Sequence, residues 1–379
     1  MLKTIRKPKS KQDFALVLGV ESSCDETAAS VLRRAQDGQV EVLSSIVASQ
    51  DEIHTPYGGV VPELAARAHM QKIESVMVRA VEQAGINWTQ LHAVAATSGP
   101  GLIGGVITGL MAAKGLSVSL DIPLIAVNHL EGHAVSPRLT DDCPFPYLLL
   151  LVSGGHTQLL GVKGVGDFTR LGSTRDDAAG ETFDKTAKIM GLGFPGGPAV
   201  EKMAANGDPK AVKLPRPFMG KPHADFSFSG LKTATLRAYE NLINAKLGQA
   251  SERDKANLAA SFQQAVCDIL CDRTKTAMDM FKRTDKGPYR FVVAGGVAAN
   301  ARIRTALDKL CTDNNFTLFA PPLKYCGDNG AMIALAGAER LALGITSDLD
   351  VCARPRWPLD QDSADNNPAS GFGKKGPKS

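Results

Sequence analysis

ALVLGVESSCDETAASVLRR (residues 15–34) and PYLLLLVSGGHTQLLGVKG (residues 146–164) decide the fold. Each joins an apolar run to a second one through a tight turn of small polar residues, which predicts a pair of neighbouring strands. Outward from the first pair, VEVLSSIVAS (40–49) is a third strand and a helix runs from about Glu63 to Ala84. HAVAATSG (92–99) is then a strand, a helix spans about Ile103 to Ser119, and PLIAVNH (123–129) is a strand. Outward from the second pair, FTRLGST (168–174) is again a third strand. The pattern resumes with RFVVAGG (290–296), a helix from about Ala301 to Cys311, the strand TLFAP (317–321) and an Ala-rich helix opened by Asp328. Between about 175 and 288 lies a mostly helical insertion containing LKTATLRAYENLINAKLG and the long stretch from Lys255 to Phe281. The expectation is one α/β unit used twice, as lobes at 14–140 and 141–359, the second interrupted at about 175–288.

The turns of the two copies match in chemistry. ESSCDET (Glu21 to Thr27) and VSGGHT (Val152 to Thr157) both follow a first strand, and Gly154 and Gly155 let a ligand approach the backbone. SGPGLIGG (98–105) and AGGVAAN (294–300) each join a strand to a helix, where the helix N-terminus favours an anion. One such loop is usually only a turn. Four at matched positions predict a phosphate or carboxylate between the lobes.

HLEGH (129–133) adds a metal to that expectation. Four residues of helix carry the chain through about 400°, so the two imidazoles share a face, offset by about 40°. Alone, such a pair is more often a surface feature or a cap. Asp328, after a short strand and at the start of a helix, is both a candidate N-cap and a candidate third ligand. Two histidines and a carboxylate leave coordination positions open, as working metals require.

Composition bounds the rest. The chain has 379 residues, 44% hydrophobic and 22% charged, enough for a sizeable core in two lobes. No apolar run reads as a membrane span, so no membrane partner is expected. Seven scattered cysteines without a CxxC pair, and no signal-peptide core, predict a cytoplasmic protein; Cys24, Cys267 and Cys271 read as small buried thiols. Residues 1–13 carry Lys3, Arg6, Lys7, Lys9 and Lys11 against Asp13, a net charge equal to the whole chain's +4, so the remainder is balanced and net charge argues little for nucleic acid. That arm, too short for a usual targeting segment, and the polar tail at 360–379 are expected to be disordered.

Taken together, ESSCDET, PELAAR, SGPGLIGGV, NHLEGH, LVSGGHTQL, DDAAGETFDKTAK, GFPGGP, DFSFSGLKTA, AGGVAAN, CGDNGAMIA and RPRWPL resemble the bacterial tRNA adenosine threonylcarbamoyltransferases (TsaD type), formerly described as O-sialoglycoprotein endopeptidases. The likeness runs from about Ala15 to Leu359. It implies duplicated ribonuclease H-like lobes of the actin/hexokinase/Hsp70-like ATPase superfamily. It implies transfer of a threonylcarbamoyl group from threonylcarbamoyl-AMP to N6 of the adenosine just 3′ to the anticodon (adenosine 37, giving t6A) in tRNAs reading codons that begin with A. It places a divalent metal on His129, His133 and Asp328, with iron(II) favoured by family habit and zinc or manganese compatible. It places the acyl-adenylate on Leu151, Val152, Ser153, Gly154, Gly155, Asp184, Gly197 and Asn300, although on residue type alone Asp184 reads as a solvated helix face and Asn300 as an N-cap. Asp25 or Glu26 is the candidate acceptor of the amine proton. The implied partners are an inactive paralogue of the same fold (TsaB type) and a P-loop ATPase (TsaE type), or a second copy, since mitochondrial relatives are homodimers. The helix from Glu63 is the candidate pairing surface.

Two other classes compete. A sugar kinase or ATPase would use the same cleft but not the histidine clamp. A zinc protease uses His-Glu-x-x-His, whereas Glu131 sits roughly 200° around the helix from His129.

Overall fold

The structure is a computed structural model that describes residues 13–245 and 250–366. The basic arm, except Asp13, and the tail beyond 366 lie outside the described residues. Strands β1 (Phe14–Glu21), β2 (Glu26–Ala35), β3 (Val40–Val42), β4 (Ile46–Ser49), β5 (Ala93–Gly99) and β6 (Leu124–Asn128) form the first sheet, and β7 (Tyr147–Val152), β8 (Thr157–Gly164), β9 (Asp167–Ser173), β10 (Arg290–Ala294) and β11 (Thr317–Phe319) the second. The first sheet has the order β3-β2-β1-β5-β6 and the second β9-β8-β7-β10-β11, read from its other edge. In both, the first three strands are antiparallel and the last two join parallel. The expected duplication of a ribonuclease H-like unit is therefore present in five strands of each sheet, with β4, paired to β2, additional in the first.

One expected strand is broken in two. VEVLSSIVAS divides into β3 and β4 because Ser44 turns inward: its hydroxyl accepts from Val31 N at 3.0 Å and its carbonyl accepts from the Ser30 hydroxyl. A serine that bonds the neighbouring backbone offers an alternative to the ladder, and the pairing with β2 restarts at Ala29 opposite Ile46.

The helices are α1 (Asp51–His54), α2 (Pro62–Gln83), α3 (Ile103–Leu120), α4 (His129–Val135), α5 (Ala179–Met190), α6 (Gly196–Ala204), α7 (Ser229–Ala245), α8 (Glu252–Thr284), α9 (Ala301–Asp313), α10 (Gly330–Ala342) and α11 (Gln361–Asn366). Helices α2 and α3 cover the outer face of the first sheet, over Leu16, Leu18 and Val20. Among the described helices α3 alone, at 18 residues, is long and apolar enough to cross a membrane, where the sequence pattern gives a helix of nearly this length but reads no membrane span. Here it packs on β5 and α2. The insertion, α5 to α8, covers one face of the second sheet through Phe183, Phe226, Phe228 and Phe262, packed with Leu148, Leu150 and Val152 of β7. The alternate residues, Tyr147, Leu149 and Leu151, are buried on the other face with Leu130 and Ala134 of α4. Burial on both faces is why β7 is an unbroken apolar run rather than an alternating one.

Two segments lie elsewhere than the sequence pattern placed them. Helix α10, assigned to the second lobe, packs on β1, β2 and β5 of the first sheet. Glycines make the approach: a Cβ on Gly19 would stand 2.3 Å from Ala334 N, and one on Gly337 2.3 Å from Ala95 Cβ. Residues 361–366, assigned to the tail, form α11, and Asp360 ahead of it accepts from Arg170 N at 2.8 Å and from Ser363 N at 2.9 Å.

Replacing Gly19 by Ala forces α10 off β1. We expect Gly19→Ala to cost about 3 kcal/mol in urea unfolding, the upper end of overpacking penalties. A loss under about 0.5 kcal/mol would show that the contact is not rigid.

Candidate metal and nucleotide site

The short helix α4 begins where β6 ends. Asn128 caps it, its side chain accepting from Leu130 N at 2.9 Å and donating to Trp357 O at 2.9 Å. His129 and His133 therefore leave the sheet edge on one helical face, with ring centroids 4.7 Å apart and planes nearly perpendicular. Gly132 between them lets α4 lie against α10, since a Cβ there would stand 2.8 Å from Ile333 Cδ1.

Asp328 reaches the pair from the loop before α10. Its Oδ1 lies 3.0 Å from His133 Nε2 and 3.6 Å from His129 Nε2, and the three ligand atoms lie within 4.8 Å of one another. The sequence expectation that Asp328 caps α10 is corrected by one residue: Asn329 is the cap, accepting from Met332 N at 3.0 Å. With the cap supplied next door, the Asp328 carboxylate is free to face the imidazoles. This donor set, two imidazole nitrogens and one carboxylate oxygen, fits a divalent ion.

The support around the ligands was not foreseen. Glu21, the last residue of β1 and fully buried, accepts from His129 Nδ1 at 2.9 Å, from the Thr97 hydroxyl at 2.6 Å and from Ser23 N at 2.6 Å. A carboxylate on the far nitrogen of a ligating histidine fixes its tautomer and presents Nε2 to the metal. The available signal was a glutamate ending a wholly apolar strand, a position expensive for a charge without a partner. A second unforeseen network pins the turn beside it. His69 Nδ1 pairs with the Thr27 hydroxyl at 2.8 Å, its Nε2 with Cys24 O at 3.1 Å, and Gln50 links this ring to His54.

The electrostatics follow from this burial. Desolvation disfavours the His129 imidazolium, but Asp328 and Glu21 outweigh it and hold the ring up to about 9. Burial would raise Asp328 and Glu21, yet the imidazoles keep both carboxylates below their ordinary values. Glu26 goes the other way: burial, Asp328 and Asp25 push its carboxyl well above the usual range. Burial, with Asp25 and Asp328, also pushes the Cys24 thiol well up, so it is no nucleophile. Glu131 forms a fork with Arg340, at 3.1 and 2.5 Å, and is thereby held away from the histidine face, as its helical position predicts.

The remaining predicted residues gather in the second lobe. Leu151 and Val152 end β7 in the core, while Gly154 and Gly155 are exposed with open space above them. Helix α5 starts directly beneath that turn, with Gly180 N donating to Ser153 O and Glu181 N to Gly154 O. Asp184 accepts from Gly196 N at 2.9 Å, while burial, the largest influence, raises its carboxyl. Gly197 has open space where a Cβ would sit. Asn300 caps α9, accepting from Ile303 N at 3.0 Å and donating to Gln263 at 3.0 Å, so its side chain is already engaged. Charges reach from one group to the other: Asp25 of the first turn helps raise the Asp184 carboxyl, and His156 of the second turn helps lower that of Asp328.

The tRNA N6-adenosine threonylcarbamoyltransferase (TsaD) family model matches residues 41–335. Proteins of that name are 56% identical in Caulobacter vibrioides (97% of this chain, 99% of that one), 54% in Maricaulis maris (98% and 98%) and 54% in Brucella canis (96% and 99%). Among solved structures, full-length HypF in its phosphate- and nucleotide-bound form superposes with a TM-score of 0.55 at 14% identity. It covers 89% of this chain, which spans about half of that protein's length, 48%. HypF from T. kodakarensis gives 0.54 at 16% identity, over 88% of this chain and 47% of that one. These two likenesses speak to the fold alone.

A metal must displace the proton that Glu21 and Asp328 hold on His129. Apparent affinity for a divalent ion, followed by calorimetry, should therefore rise about tenfold per pH unit from neutrality and level off above about 9. In Glu21→Gln the plateau should begin at lower pH and lie about 10–100-fold weaker. A pH-independent affinity would exclude His129 as a ligand.

Proposed function

We propose a mechanism for this chain, which belongs to the tRNA N6-adenosine threonylcarbamoyltransferase family and is an acyltransferase that forms t6A. The threonylcarbamoyl group comes from threonylcarbamoyl-AMP and passes to N6 of the adenosine 3′ to the anticodon. The observation that carries the metal-dependent reading is the convergence of His129, His133 and Asp328 around one point, with Glu21 behind His129.

The donor is a mixed anhydride, so the N6–carbonyl bond forms as the bond from the carbonyl carbon to the phosphate oxygen breaks and AMP leaves. AMP is a good leaving group; the difficulty is an aromatic amine that is a poor nucleophile and must be positioned. The turn from half-buried Ser153 to exposed Gly154 and Gly155 supplies a surface on which the donor's phosphate or carbonyl can meet the backbone. Asp184 keeps acceptor capacity for a ribose hydroxyl beside the open Gly197, and the start of α9 at Asn300 closes the nucleoside side. A divalent ion on the three ligands, iron(II) by the resemblance, would neutralise charge on donor oxygens. Asp25 and Glu26 are the candidate acceptors of the N6 proton; burial, Asp328 and Asp25 push the Glu26 carboxyl up, so its ionised form is a stronger base than an ordinary carboxylate. The target base lies in a single-stranded loop and need not be drawn from a duplex.

The paralogous partner is assigned to the outer face of α2 and α3. There Ile103, Ile107 and Met111 recur every four residues, and Met70 of α2 is 71% exposed. The buried face of α2, with Ile73, Val76 and Met77, serves the core. A stripe of this kind is where one helix pair can pack on another.

Transfer of radiolabelled threonine to unmodified tRNA, with donor synthase and partner proteins supplied, tests the mechanism. His129→Ala and Asp328→Ala should each lose more than about 100-fold in rate while remaining folded, since direct ligands matter more than their supports. Labelled phosphate on a small-molecule product, with no label on tRNA, would instead indicate a kinase. Ile107→Glu with Met111→Glu should abolish co-elution with the paralogue; an intact complex would move the interface elsewhere.

A further inference from the structure

The segment ANGDPKAVKLPR (205–216) follows α6 and lies along α8. Its backbone is tied down: Asp208 N donates to Asn257 at 2.9 Å, Val212 N to the Ser261 hydroxyl at 3.1 Å, and Leu214 is buried. A Cβ on Gly207 would stand 1.9 Å from Ala256 O, so the segment lies close against the helix. Between these anchors Lys210 and Lys213 are exposed, and neither forms an ion pair among the described residues.

These lysines line one side of a cavity of about 580 Å³ whose other walls are Arg216, Gln264, Asp268 and Arg302. The walls are held by a chain of hydrogen bonds. Arg302 Nε donates to Gln264 Oε1 at 3.0 Å, Gln264 Nε2 donates to Asp268 Oδ1 at 2.7 Å, and Arg216 Nε donates to Asp268 Oδ2 at 3.0 Å. One carboxylate thus orders one guanidinium directly and the other through an amide, against four cationic side chains. Pro209 and Val212 are the only apolar residues in its lining, and no aromatic ring lines it. Small-molecule sites are mostly apolar, and single-strand base platforms need aromatic faces. A cavity that sets four cationic side chains against one carboxylate suits phosphodiesters, which attract positive charge irrespective of sequence.

Its position connects it to the transfer site. Asn300 bonds Gln263, and two residues further along α9 Arg302 bonds Gln264, the next residue of α8. Ala301 N donates to Glu201 of α6 at 2.8 Å, tying in the helix that begins at Gly196 and Gly197. The cavity is therefore joined to the nucleoside side of the cleft through adjacent residues of α8 and α9.

We propose that this cavity grips the sugar-phosphate backbone of the RNA substrate. The proposal rests on the transfer reaction above and gives it an electrostatic handle in the insertion. Lys210 and Lys213 are the contacts made on arrival, and Arg216 and Arg302 the ordered ones behind them.

Binding of unmodified tRNA to the full chain, followed by fluorescence anisotropy over a range of salt, tests it. Lys210→Ala with Lys213→Ala should weaken binding about tenfold at moderate salt and lower the slope of log K against log salt by about 1.5, the value for two lost phosphate contacts. In the transfer assay the same variant should raise KM for tRNA and leave kcat unchanged. Lys163→Ala with Lys275→Ala, which removes the same charge elsewhere, should change neither. Equal effects from the two double variants, or none from the first, would overturn the proposal. So would saturable calorimetric binding of inorganic phosphate that the first variant loses while tRNA affinity is kept, which would mark a small-anion site. Wild type that neither binds nor labels tRNA would instead sink the transferase reading and this inference together.

Discussion

Two ligands on a seven-residue helix and a third almost two hundred residues later can meet only if α4 and α10 are pressed together between the sheets, and everything at the site depends on that contact. It exists because side chains are missing where the backbones cross. Gly19 and Gly337 bring α10 onto the first sheet, and Gly132 brings α4 onto α10. The opposite side of α4 is fixed by Leu130 and Ala134 in the core of the second sheet. The ligands thus stand on elements held from both lobes, the rigid support that coordination geometry requires.

Within that frame the charges decide what the site can do. Glu21, Asp328 and His129 form one buried system in which each group is tolerable only because the others are present. Glu26, a few residues along the same strand pair, has no ion-pair partner among the described residues, and burial, Asp328 and Asp25 push its carboxyl well above the usual range. Two carboxylates five positions apart are pushed in opposite directions by what each faces, so the same residue type carries different acidities within one turn.

Much of this was legible in the sequence, for identifiable reasons. The two three-strand openings announce themselves by their runs and turns, and His129 and His133 by a spacing only a helix makes meaningful. Asp328 and Asn329 are both good caps, and nothing local says which will cap and which is released; packing of α10 makes the choice. Glu21 is silent because a single polar residue in an apolar strand carries no periodicity, and His69 because it is one more polar residue in an amphipathic helix; their partners, Thr97 for one and Thr27 for the other, come from other elements. The crossing of α10 to the first sheet was hidden for a similar reason: a glycine in a strand announces a close approach without naming the neighbour. Asn300 is the reverse case, where the local reading of a cap describes what its side chain does.

The placement of α10 also has a consequence for biosynthesis. Val17, Ala93, Ala95 and Ile125 of the first sheet are covered by Ala331 to Ala338. When the ribosome has finished that sheet's strands at Asn128, the helix that roofs it is still some two hundred codons away. At about 5–20 residues per second this leaves an apolar sheet face bare for on the order of ten seconds or more. The first lobe therefore cannot mature vectorially ahead of the second, and the nascent chain is a natural client for a holding chaperone until its last long helix arrives.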